Sequence, residues 1–107
     1  MQTDEKIRIV QIVGQLLLSD MALSAEESDF LDALMGRYEL TEGDRKAVFG
    51  GINIGNDPAL AVAELSADSR AELLTVLHEA AHSDGVIEPV EAELIALVEA
   101  AVAVANG

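Results

Sequence analysis

Apolar residues recur in this chain at spacings of three and four, and no segment alternates apolar with polar residues long enough to make a good strand. That periodicity admits helices and little else. Ile7, Val10, Gly14, Leu17 and Met21 form one stripe, and Ile9, Ile12, Val13 and Leu16 widen it. So broad an apolar face predicts a central first helix, over residues 4–22, touching several neighbours. Ser24 followed by Glu27 reads as a capping box opening a second helix that ends near Tyr38 and buries Phe30, Leu31 and Leu34. Thr41 caps a short third helix that stops near Gly50 and Gly51, and residues 50–57 read as a turn-rich loop. Asp57 before Pro58 places proline at the first position of a fourth helix running to about Leu65. Ser66 caps a fifth helix over residues 67–82, with Leu73, Leu74, Val76, Leu77, Ala80 and Ala81 on its apolar face. Glu88-Pro89 opens a last helix, to about Ala105. The expectation is an all-α fold: one domain over residues 1–107, a compact bundle of five to seven helices.

Half of the 107 residues are apolar, but Phe30, Tyr38 and Phe49 are the only aromatics, so the core must be aliphatic. Twenty acidic residues face six basic ones, a formal charge of −14. Such a charge repels nucleic-acid phosphates and anionic membranes, and it suits basic proteins and cations. It also keeps a chain soluble with no further role. No cysteine is present, which removes disulfides, thiolate metal sites and a cysteine nucleophile. The N-terminal run mixes Asp4 and Glu5 with Lys6 and Arg8, unlike a signal peptide, and no stretch is long enough to insert in a membrane. A cytoplasmic location is expected.

The chain also carries an internal repeat. Residues 16–34 align with residues 80–98 at a constant offset of 64. Ser19-Asp20 falls on Ser83-Asp84, Leu23 on Ile87, Glu27 on Glu91, and Phe30, Leu31 and Leu34 on Leu94, Ile95 and Val98. Two helical hairpins related by a pseudo-twofold axis are expected.

The repeat duplicates two carboxylates. Glu27 and Glu91 fall in the first turn of a helix, where the backbone dipole favours negative charge and capping accounts for them. Asp20 and Asp84 fall just past a helix C-terminus, where the same dipole disfavours them. A bond from each Asp to its own turn backbone, or a bound divalent cation, would offset that cost. The second unit resembles the back half of an EF-hand loop, with Asp84, Gly85, Glu88 and Glu91 at the fifth, sixth, ninth and twelfth positions. Its front half fails, because Ala80 and His82 stand at the first and third. Glu79 and His82 have the Glu-x-x-His spacing of di-iron bundles, but the first unit offers no second copy. No phosphate loop or nucleophile elbow is present, and Asp68-Ser69 is followed by Arg70 rather than the Leu of an acyl-carrier motif.

The run HEAAHSDGVIEPVE, residues 78–91, resembles the TerB-like (tellurite-resistance protein B) family: a small-residue helix end, Asp-Gly, an apolar residue, and a Glu opening the next helix. Residues 19–27 resemble the family's first copy, with Met21 in place of its glycine. The resemblance spans residues 9–102. It implies an all-α bundle of paired helical hairpins, a role in bacterial stress response including tellurite resistance, and an acidic surface suspected of binding cations through Asp20, Glu27, Asp84 and Glu91.

Three functions are compatible with these features. The first is a non-catalytic acidic binding module for a divalent cation or a basic protein partner. The second is a structural or scaffolding homodimer, motivated by Ile95, Val98, Val102 and Val104 on the last helix. The third, least supported, is a metalloenzyme using Glu79 and His82. The chain is expected not to be an enzyme, and to hold neither nucleic acid nor a cofactor beyond such a cation.

Overall fold

The computed structural model describes residues 2–17, 25–51, 58–81 and 89–106. These form α1 (Thr3–Leu17), α2 (Ala25–Arg37), α3 (Glu42–Gly51), α4 (Pro58–Ala63), α5 (Ala67–Ala81) and α6 (Pro89–Asn106), with no strand among the described residues. The all-α expectation holds.

The repeat appears in the helix boundaries. Adding the offset of 64 to the first and last residues of α1 gives those of α5, and adding it to the first residue of α2 gives that of α6. Burial follows the same register. Ile9, Ile12, Val13 and Leu16 of α1 match Leu73, Val76, Leu77 and Ala80 of α5, and all eight are at most 3% exposed. Leu31 and Leu34 of α2 match the buried Ile95 and Val98 of α6. The helices α1 and α5 pack on each other at the centre, α2 flanks α1, and α6 flanks α5. The short helices break the duplication, α3 packing on α1 and α4 chiefly on α6.

As the breadth of its stripe predicts, α1 buries every residue from 12 to 17 and touches all the other helices. Each fully buried Leu or Val on such a face contributes about 1.5–3 kcal/mol from water removal alone. Met21, placed on the same stripe, lies outside the described residues. Phe30 departs from expectation: it is half-buried at the core's edge, whereas Leu31 and Leu34 are buried. Leu74 is likewise only partly buried.

Three ends show how the chain starts and stops its helices. Thr41 Oγ1 accepts the Asp44 N–H at 3.1 Å while Asp44 Oδ2 accepts the Thr41 N–H at 3.1 Å, a reciprocal cap opening α3. At α5 the Ser69 N–H donates to Ser66 Oγ at 3.3 Å. The end of α2 is closed by Leu40 N–H to Met35 O (3.1 Å) and Glu39 N–H to Gly36 O (3.0 Å), a Schellman pair. That geometry needs a left-handed residue, and Glu39 supplies it at φ 58° without being glycine.

Candidate functional site

The repeat places Glu27 and Glu91 at equivalent points, each the third residue of its helix. Glu27 is 7% exposed, buried in the first turn of α2 where the backbone field favours its charge. The side chain of Glu91, its capping neighbourhood, and all of Asp20, Asp84 and His82 lie outside the described residues. So does Ser24, the expected partner of Glu27. Among the described residues, no group of three His, Cys, Asp or Glu is placed to hold a metal ion.

Glu79 sits half-exposed on α5, and its Oε2 lies 3.8 Å from Arg37 Nη1 of α2. A cation taken up by Glu79 would compete with that guanidinium. The neighbouring His78 is on the surface, its Nε2 3.6 Å from Glu99 Oε1 of α6, an ion pair whenever the imidazole is protonated. Arg37, Glu79, Phe30, Ala33 and Leu34 line a shallow groove between α2 and α5.

Beside that groove, Glu72 Oε1 accepts two hydrogen bonds at 3.0 Å, from Arg37 Nη2 and from the Tyr38 hydroxyl. Burial, together with the facing Glu72 carboxylate, pushes the Tyr38 hydroxyl up to about 12. The phenol therefore stays protonated and serves as a donor, joining the end of α2 to α5. Lys6 Nζ adds a bond from α1 to the Tyr38 carbonyl at 3.3 Å.

A carboxylate also caps a helix from outside it. Glu5 Oε2 accepts the Ser66 N–H at 2.8 Å, at the start of α5. That backbone bond, with the Ser69 and Ser66 hydroxyls, lowers Glu5 to about 2. Glu5 and Ser69 are themselves equivalents at the offset of 64, so equivalent positions of α1 and α5 meet here. No local sequence pattern signals this contact, because its partners are 61 residues apart.

The distribution of charge is uneven. Arg8 pairs with Glu64, Arg37 with Glu72 and Glu79, and Arg45 with Asp32. At least three of the six basic residues are thus engaged by acids of the same chain, while Asp4, Asp29, Glu42, Asp68 and Glu93 are exposed. After Arg70 the chain has seven carboxylates and no Lys or Arg. Within that stretch α6 buries Ile95, Val98 and Val102 in the chain's own core, so these three are not spare for a dimer. Val104 is different at 82% exposure, and Leu97, which no local pattern marks as exposed, is 55% exposed. Helical spacing puts Leu97, Ala100 and Val104 on one flank of α6, away from the flank where Glu99 meets α5. Leu60 of α4, the helix packed chiefly on α6, is 73% exposed.

Among the described residues no helix is long and apolar enough to cross a membrane. In comparisons with known proteins, no family model, no curated protein and no solved structure matches this chain.

Proposed function

We propose that this chain is a non-catalytic acidic binding module, of the TerB-like kind its sequence resembles, whose partner is a basic segment of another protein. One observation carries the reading. Arg8, Arg37 and Arg45 are already paired with carboxylates of the same chain, and after Arg70 the chain has seven carboxylates with no Lys or Arg among them. A field of one sign attracts and orients an oppositely charged partner and disfavours wrong ones. A tellurite-resistance or stress-response role in a bacterial cytoplasm belongs to the same proposal and rests on the resemblance.

The test is a titration of the protein with a fluorescent lysine-rich peptide at two salt concentrations. A saturable one-to-one complex that weakens as salt rises is expected. Absence of saturable binding near physiological ionic strength removes the proposal.

A divalent cation is a second reading, favoured by the equivalent positions of Glu27 and Glu91 in α2 and α6. A cation at a hundred times its dissociation constant would add ~2.7 kcal/mol of stability. Thermal melts with Ca²⁺, Mg²⁺, Mn²⁺ and Zn²⁺ should then show one ion giving a shift that Asp84→Asn with Glu91→Gln abolishes. A shift that survives that double substitution counts against the site.

A further inference from the structure

We propose that the outer flank of α6, carrying Leu97, Ala100 and Val104, is where a basic amphipathic helix of a partner protein docks; this rests on the reading of the chain as an acidic binding module. The flank is apolar and exposed, with Leu97 at 55% and Val104 at 82%, and exposed apolar side chains that share one helix face mark interaction surfaces. Three of the four large hydrophobic side chains exposed among the described residues belong to α6 or to α4, which packs on it. The fourth, Phe49, stands on α3 beside Arg45 in a different groove.

Charge selects the occupant. The three charged residues of α6 are Glu91, Glu93 and Glu99, and no Lys or Arg follows Arg70. A second copy would bring another acidic α6 against this one, within a chain of charge −14, and like charges across an interface oppose association. A partner helix with leucines on one face and lysines at its edges satisfies both features. Its apolar face covers Leu97 and Val104, and a lysine at its edge meets the carboxylate that shares this flank, Glu93. Glu93 lies on the same flank, one turn before Leu97, where such a lysine would reach it.

The probes are two synthetic helical peptides of equal charge, one with lysine and leucine on opposite faces, the other with serine in place of leucine. Binding to the full chain is read by fluorescence anisotropy. The lysine–leucine peptide should bind wild type about tenfold or more tighter than the lysine–serine peptide, as loss of one or two apolar anchors implies. Leu97→Gln with Val104→Gln should remove that advantage, and Leu97→Ala with Val104→Ala should do so while keeping helix propensity and an unchanged thermal melt. Phe49→Gln should leave binding intact. If both double variants bind the lysine–leucine peptide like wild type, or Phe49→Gln alone weakens it, the α6 surface is wrong while the acidic-module reading stands. If neither peptide binds, both readings fall. If sedimentation shows the free protein to be a dimer that these variants dissociate, the occupant is a second copy and the proposal is overturned.

Discussion

The helices α2 and α6 hold equivalent places and differ on the outside. Both begin at the same point of the repeat, and both bury the same register of aliphatic residues. On α2 the exposed side is held by ion pairs, Asp32 with Arg45 and Arg37 with Glu72. On α6 the corresponding side carries Leu97 where α2 has Ala33, and its helix continues where α2 stops. The fold constrains the buried face of each copy because packing does. It leaves the outer face free, so the place where the copies part is where a partner would act.

The largest effect should come from the shared core. Val13 and Leu77 are equivalents, both wholly buried where α1 packs on α5. Leu77→Ala should cost about 2–5 kcal/mol. Val13→Ala should be felt in the same single denaturation transition, since both residues serve one core. Two separable transitions would mean that the hairpins fold as independent units, and would break the comparison.

Next comes a dependence on pH at the α1–α5 contact. Glu5, lowered to about 2 by the Ser66 backbone bond and the serine hydroxyls, holds fewer protons folded than unfolded between that value and its ordinary 4.5. Its contribution is present above about 4.5 and lost as pH falls toward 2. Glu5→Gln should flatten the fall in stability over that window in denaturant titrations. An unchanged acid limb would show that Glu5 does not cap α5 in solution.

The Tyr38 hydroxyl is a bond that only the first hairpin has, since the equivalent residue of α6 is Val102. Tyr38→Phe should cost about 1 kcal/mol, the usual net value of one such hydrogen bond. In an ultraviolet pH titration the phenol should ionise near 12 rather than 10. The folded state then holds the extra proton, so stability is full below 10 and falls as pH rises through 12. A phenol ionising at its ordinary value would place the ring outside the core.

How much of this was legible follows from where each signal lives. The stripe of α1, the Ser66 and Thr41 caps and the proline starts of α4 and α6 are local patterns, and they sit where the sequence puts them. The spacing of Phe30 predicts a core residue, yet Ala33, Arg37 and Glu79 leave an open groove beside it. The Glu5 cap joins distant segments and has no local pattern to read. On α6, alanine, valine and leucine run round the whole helix, so periodicity could not tell the buried Val102 from the exposed Val104. Of the proposed carboxylates, Glu27 is seen in its first-turn position, whereas Asp20, Asp84 and the Glu91 side chain fall outside the described residues.

The helical paths of the two copies part at the end of α2, at Glu39. There the left-handed residue ends α2 and turns Leu40 into the core at 7% exposure, while α6 runs on and leaves the equivalent Val104 at 82%. A side chain in that conformation costs roughly 1–2 kcal/mol, which glycine avoids. Glycine gives back about 0.5–1 kcal/mol through the freedom of the unfolded chain. Glu39→Gly should therefore stabilise by about 0.5–1 kcal/mol in urea melts. A loss of stability would mean that the Glu39 side chain contributes something its exposed position does not suggest.

The smallest effect discriminates best. Leu97→Ala on α6 and Ala33→Leu on α2 exchange the equivalent exposed residues of the two copies. If α6 presents its flank to a partner rather than to the fold, each change should alter stability by no more than about 0.5 kcal/mol, as surface substitutions do. Alanine even gains slightly in helix propensity over leucine, so Leu97→Ala has nothing to lose except contacts. A cost near 2 kcal/mol would show that Leu97 is packed by its own chain. The outer faces of α2 and α6 would then differ only in how they are held, and the docking surface would have no free side chain to anchor it.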